Sequence, residues 1–424
     1  MLSRRNFLAT LAFGTFSAAF LSPFTSAQSP AQPVAPVRNW VGSWAASQQL
    51  PEPQNSLDPG DLNDATLRQI VHLSVGGTTL RLHISNAFGY LPLYLAGVHI
   101  ARPISPSTPT IDPATDKAIT FSGKTDVIIP AGAEYLSDPI DFPAAPLSDI
   151  AVSIHYDRPP AEQTGHPGSR ATSYLVHGDA ISAPDLSGAR KFDHWYQLSA
   201  IDVAAPENAA SIVALGDSIT DGHGATTNGN DRWTDILARR LQADPKTKAI
   251  GVLNQGIGGN HLLSDGLGPN VLARFDRDVL AQTGVRWVIV FEGVNDIGGF
   301  TRLSDPPAAE HQAFLQHLLA SYEQIIARAH AAHIQVVGAT ITPYTDSNYY
   351  HPPASNEADR QLINAWIRTP GRFDAVIDFD KAIADPAHPD HLNPAYDSGD
   401  HLHPSAAGYK VMGELIPLSL FTLR

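Results

Sequence analysis

The stretch Ile212–Gly222, IVALGDSITDG, decides how this chain is read. Apolar residues run directly into Gly216-Asp217-Ser218 and then into small and polar residues. A continuous apolar run of this length fits a strand buried on both faces, the kind found in parallel sheets. In open sheets of that kind, ligands bind beyond the carboxyl ends of the strands. Ser218 stands just past such an end. A polar turn after a strand is common, so the rest of the chain must decide whether Ser218 is a turn residue or a nucleophile.

Downstream of about Ala210 the pattern repeats. The short apolar runs SIVAL, IGVLN, WVIVF, IQVVGATI and AVIDF alternate with helix-length amphipathic stretches. In AEHQAFLQHLLASYEQIIARAHAAH, Phe314, Leu318, Tyr322, Ile325 and Ile326 fall on one helical face. Residues 206–424 are therefore expected to form an α/β domain: about five parallel strands covered by helices on both sides. Upstream, residues 38–205 read differently. In VHLSVGGTTLRLHIS, Val71, Leu73 and Val75 alternate with polar residues, Gly76-Gly77 supplies turn chemistry, and Leu80, Leu82 and Ile84 alternate again, which predicts a hairpin. DIAVSIHYD repeats the period, with Ile150, Val152, Ile154 and Tyr156 on one face. Pro- and Gly-rich connections such as RPISPSTPT separate these runs, and no helical period is sustained. An all-β sandwich of jelly-roll type is expected.

Composition removes several function classes. With 28 basic and 42 acidic residues the formal charge is −14. Nucleic-acid affinity rests on clustered Lys and Arg, and no such run is present, so no nucleic-acid partner is expected. There is no cysteine, which excludes disulfides, thiolate nucleophiles and Cys-ligated zinc.

The N-terminus carries a targeting signal. Ser3-Arg4-Arg5-Asn6-Phe7-Leu8 looks like a twin-arginine export motif, followed by an apolar run to about Leu21 and small residues at Thr25-Ser26-Ala27. The run is short for a spanning helix, which needs about 20 apolar residues. Residues 1–27 are read as a signal peptide and residues 28–37, which contain SPAQPVAPV, as a Pro-rich tether. The expected location is periplasmic or secreted, with no stable membrane partner after cleavage.

The carboxyl ends of the strands deliver a set of chemistry-bearing groups to one rim. They are Ser218, the glycine loop NQGIGGN (Asn254–Asn260), Asn295 in FEGVNDIG, and Asp400 with His403 in DSGDHLHPSAAGY. These are the parts that acyl transfer requires. A serine hydroxyl needs an adjacent general base. His403 can take its proton, while Asp400 orients the ring and stabilises the imidazolium. A tetrahedral oxyanion needs preorganised donors. A backbone N–H of the glycine loop and the Asn295 carboxamide can provide them.

The segments GDSITDG, NQGIGGN, GVND and DHLHP resemble the four conserved blocks of the SGNH (GDSL-like) hydrolase superfamily, in the same order, over about residues 210–424. The resemblance implies a flavodoxin-like three-layer domain. It also implies Ser218 as nucleophile and oxyanion donor, Gly259 and Asn295 as further donors, His403 as base and Asp400 as its partner. Gly258 stands where many relatives carry serine, which leaves the backbone donor open between Gly258 and Gly259. His401 lies two residues before His403; the family pattern of Asp, two residues, His and Pro selects His403, since Pro404 follows. No Gly-x-Ser-x-Gly elbow surrounds Ser218, which excludes a lipase-type α/β-hydrolase.

Other features have plainer readings. AHPDHLNPAYDSGDHLHP gathers four histidines among aspartates, but no recognised ligand spacing is present and no metal or cofactor is expected. GIGGN lacks the third glycine of a dinucleotide fingerprint, His261 standing in its place. Trp40, Trp44, Trp195 and Tyr196 are assigned mainly to the core of the β-module ahead of a sugar platform. Asp217 and Asp296 are expected to organise loops. Arg170, in HPGSRATSY, is within conceivable reach of a substrate.

The reading that results is an exported serine esterase that removes small acyl groups, acetyl above all, from carbohydrate. A short-chain carboxylesterase or lipase on soluble or lipid esters is the enzymatic alternative. A glycan-binding protein with a vestigial site is the alternative of another class, and the intact Ser218, Asn295 and His403 argue against it. Oligomeric state is not legible.

Overall fold

The computed structural model describes residues 39–422; the expected signal peptide and tether, residues 1–37, lie outside the described residues. The residues from 39 onward belong to one compact unit. Within it, residues up to about 205 form strands and turns with no helix among the described residues. Two antiparallel sheets face each other. One runs in the order Trp40–Ala45, Leu198–Ala204, Gly77–Ser85, with Glu134–Leu136 and Ile140–Ala144 both pairing with the last. The other has six strands: Arg190–Phe192, Ser173–His177, Ala65–His72, Asp149–Tyr156, Gly97–Pro103 and Ile111–Ala118. Val41, Leu80, Leu82 and Ile84 of the first sheet meet Leu67, Val71, Ile150, Val152 and Ile154 of the second in one buried cluster. That is sandwich packing, with alternate residues turned inward from both sheets.

The hairpin expected across Gly76-Gly77 does not form. Ala65–His72 and Gly77–Ser85 lie in different sheets, so the turn carries the chain across the sandwich. Alternation reports which face of a strand is buried, not which strand is its neighbour, and the two halves bury their apolar faces against each other. Trp44, Trp195 and Tyr196 are buried; Trp44 and Trp195 meet edge to face at 4.9 Å. They are core, as the sequence suggests.

The second half contains five parallel strands in the spatial order Ile250–Gly256, Ala210–Gly216, Val285–Phe291, Gln335–Ala339, Ala375–Ile377. In chain order this is 2-1-3-4-5, the flavodoxin-like arrangement, whose crevice opens where the order reverses beside the first strand. Ala210–Gly216 is that strand and is buried throughout, which is why its sequence reads as a continuous apolar run. The helix Ala308–Ala331 buries Phe314, Leu318, Tyr322 and Ile325, with Ile326 partly covered. No helix among the described residues is long and apolar enough to cross a membrane.

The sandwich and the parallel sheet share a tight seam. Gly42 N–H donates to Thr283 O at 3.0 Å, Val252 N–H donates to Ser74 Oγ at 2.9 Å, and Ser211 Oγ donates to Gly42 O at 3.2 Å. A Cβ on Gly251 would stand 2.1 Å from Gly42 O. Glycine is required there because two backbones pass too close for any side chain.

Candidate active site

Ser218 opens a single helical turn, Ser218–Asp221, directly after the first parallel strand. Asp217 caps that turn, its carboxylate accepting from Ile219 N–H at 2.8 Å, and Gly222 ends it in the left-handed conformation. As the first helical residue, Ser218 has an N–H without an intrahelical acceptor. Its Oγ lies 2.8 Å from His403 Nε2, although 185 positions separate them.

His403 comes from the loop before the last helix, Ala406–Leu415, which Ser405 caps. The loop folds back on itself: Ser398 N–H donates to His403 O, and Asp397 bridges to Pro404. This turn sets Asp400 Oδ2 2.6 Å from His403 Nδ1, while Asp400 Oδ1 accepts from the N–H groups of Leu402 and His403 at 3.0 and 2.8 Å. Burial alone would raise the Asp400 carboxyl; the His403 side chain and these N–H groups hold it well below the usual carboxylate range. An ionised Asp400 only accepts, so His403 Nδ1 carries the proton and Nε2 faces Ser218 as the acceptor. His401 points elsewhere, pairing with Asp397 at 2.6 Å.

Asn295 sits in the helix Val294–Thr301 after the third strand and is buried. Its Oδ1 accepts from Tyr350 Oη at 2.6 Å and its Nδ2 donates to Asn260 O at 2.8 Å. One amide N–H remains. The N–H groups of Gly258 and Gly259 are not used in any hydrogen bond within the described chain. Gly259 takes a left-handed φ of 65°. Asp296 holds this glycine loop from below, accepting from Leu262 and Leu263 N–H at 2.8 and 2.9 Å. Asp217 and Asp296 thus organise loops, as expected. Burial pushes both carboxyls up to about 7, and the neighbouring Glu292, buried without a hydrogen-bond partner, well above the carboxylate range.

Four participants escaped the sequence. Tyr350 fixes the Asn295 amide. Arg274, fully buried, donates to Asn260 Oδ1, Gly216 O, Gln255 O and Asp278, tying the glycine loop to the first two strands. His166 of the β-module bonds Asp221 through Nε2 at 2.9 Å. His223 lies with its ring 4.0 Å from that of His403. No motif marks them, because each acts through a contact distant in sequence.

The histidine-rich loop lines a cavity of about 390 Å³ with Asp346, Asp385, His388, His391, Asp397 and His401. His391 is held by Asp390 and Asp346, and His401 by Asp397. Among the described residues, one group, His223, Asp400 and His403, has ligand atoms close enough to share a cation, all within 4.8 Å. Two of the three are already committed to each other by hydrogen bonding.

Residues 214–411 match the model of the GDSL-like lipase/acylhydrolase family. The chain carries a GDSL-like acylhydrolase domain. The hydrolase is similar in structure to a G-D-S-L family protein from Desulfitobacterium hafniense DCB-2, at 24% identity over 49% of this chain and 97% of that one, with a TM-score of 0.37. It is also similar to the acetyl xylan esterase AlAXEase, at 20% identity over 48% and 96% with a TM-score of 0.37. An acetylxylan esterase from Geobacillus stearothermophilus aligns at 20% identity over 49% and 91%, with a TM-score of 0.34. Among curated proteins none matches. The hydrolase is an enzyme acting on carboxylic esters.

Proposed function

We propose that the hydrolase is exported and removes acetyl groups from carbohydrate through an acyl-enzyme formed on Ser218. His403 Nε2 takes the Ser218 proton as Oγ adds to the ester carbonyl. Ser218 N–H, the spare Asn295 N–H and the N–H of Gly259 receive the negative charge on the carbonyl oxygen. The intermediate expels the sugar oxygen, which leaves as an alcohol with the proton from His403. Water then repeats the sequence on the acetyl-serine, and acetate is released.

The observation that carries the sugar reading is the wall beside His403. The departing alcohol must reach Nε2 to collect its proton; the ring packed against His403 is His223, which in turn accepts from Arg170, and both are polar. A polyol suits such a wall better than a lipid chain. Export rests on Ser3–Leu8 and the apolar run after it.

The test is acetate release from O-acetylated xylan, xyloglucan and pectin, with Ser218→Ala alongside. Wild type is expected to release acetate, and the variant to lose at least about 10³-fold in kcat. Cleavage of p-nitrophenyl acetate with no polymer deacetylated would replace the sugar reading by the small-ester one.

A further inference from the structure

Arg170 belongs to the β-module, yet its guanidinium bonds His223, whose ring packs against His403. Its backbone is left-handed, φ 47°, a conformation rare for residues other than glycine. The conformation is over-determined from the hydrolase side. Asn228 N–H donates to Arg170 O at 2.8 Å, Thr172 N–H donates to Asn228 Oδ1 at 2.8 Å, and Arg232 donates to Ser169 O. Strain maintained in this way is typical of sites that hold one side chain in place.

The side chain has donors to spare. Nη2 donates to His223 Nδ1 at 3.2 Å, and this is the one hydrogen bond the guanidinium makes among the described residues. It forms no ion pair there, and Nε is enclosed without a partner. The acids around it are engaged elsewhere: Asp400 with His403, Asp221 with His166, and Asp193 with the Thr172 and Thr227 hydroxyls. A half-buried cation without a counter-ion is unusual in a chain of charge −14.

Its position assigns it to one half of the substrate. Through His223, whose ring lies 4.0 Å from that of His403 and whose Nε2 lies 3.8 Å from Asp400 Oδ2, it is tied to the base side of the site, the side that returns a proton to the departing alcohol. Because Nδ1 of His223 accepts from Arg170, that nitrogen carries no proton. Loss of water around the ring, then His403 and Arg170, push the imidazole down to about 4. At neutral pH the subsite therefore holds one cation, Arg170. A guanidinium fork with free N–H groups matches a carboxylate in charge and shape.

We propose that Arg170, supplied by the β-module, binds a carboxylate on the alcohol portion of the ester, so that the preferred substrates are acetyl esters of acidic sugars. This rests on the carbohydrate reading above.

The experiment compares kcat/KM for O-acetylated oligogalacturonate, the same oligomer with its carboxylates methyl-esterified, and an O-acetylated xylo-oligosaccharide. For wild type, the free acid is expected to be favoured about tenfold or more over its methyl ester, chiefly through KM. Arg170→Gln should bring the ratio near one, with Arg170→Lys in between. A wild type indifferent to the charge overturns the proposal, as does an Arg170→Gln loss of equal size on charged and uncharged esters. If the variant does not fold, wild-type hydrolysis of p-nitrophenyl acetate is inhibited by galacturonate and by galactose in parallel. Stronger inhibition by galacturonate supports the proposal, and equal inhibition overturns it. If no sugar ester is cleaved while p-nitrophenyl acetate is, the carbohydrate reading falls and takes this one with it. Good cleavage of neutral and acidic esters alike removes this one alone.

Discussion

Asn295 shows how much of the site one side chain organises. Tyr350 holds its oxygen, Asn260 takes one amide N–H, and the other N–H is the one the proposed mechanism assigns to the carbonyl oxygen of the substrate. Asn295→Ala should lower kcat about 10²–10³-fold with little change in KM, the usual cost of one oxyanion donor. Steady-state kinetics on p-nitrophenyl acetate measures this; a KM effect alone would speak against that role. Asp217 yields a pH prediction. Burial holds its carboxyl up to about 7. A carboxyl that keeps its proton more tightly folded than unfolded stabilises the fold fully below the ordinary carboxylate range. That contribution is lost as pH rises through the folded value. Wild type should therefore lose stability between about pH 4 and 7, by up to about 1.4 kcal/mol per pH unit, relative to Asp217→Asn, whose oxygen can still accept from Ile219. Parallel melting curves for the two proteins across that range would contradict this. At this scale the sequence was most informative where chemistry and chain order coincide: Ser218, Asp400 and His403 lie in short recognisable blocks. Tyr350, His223 and Arg274 were silent because a tyrosine, a histidine and an arginine have many ordinary uses, and only the fold shows what each touches.

Elements follow the same division. The five parallel strands were legible because both of their faces are buried, which forces unbroken apolar runs, and the helix Ala308–Ala331 because one face is. Pairing between sandwich strands was not. Ala65–His72 and Gly77–Ser85 satisfy a hairpin pattern and still part to different sheets, since alternation records burial and leaves the neighbour open. The seam between sandwich and parallel sheet was invisible for a related reason: it is made of backbone atoms and glycines. Gly251→Ala would place a Cβ 2.1 Å from Gly42 O, and backbone cannot yield as a side-chain tip does. The expected cost is about 1–3 kcal/mol or more, read as a lowered midpoint in urea unfolding. An unchanged midpoint would show that the two strands can separate freely.

Over the whole molecule, the β-module is part of the enzyme's framework. His166 bonds Asp221 in the nucleophile turn, and Ser47 meets both Asp278 and the buried Arg274 behind the glycine loop. The active site is thus gathered from segments as far apart as positions 47 and 403. Composition had placed these residues in two separately patterned halves, which is accurate for their periodicity and uninformative about their union. The central claim is that distant segments converge to make Ser218 a nucleophile through His403. Labelling the purified protein with a fluorophosphonate and locating the adduct by mass spectrometry tests it most directly. A single adduct is expected on the peptide bearing Ser218, with none in Ser218→Ala and a rate reduced by about 10³-fold or more in His403→Ala. An adduct on another serine, or labelling of Ser218 at an undiminished rate without His403, would contradict it.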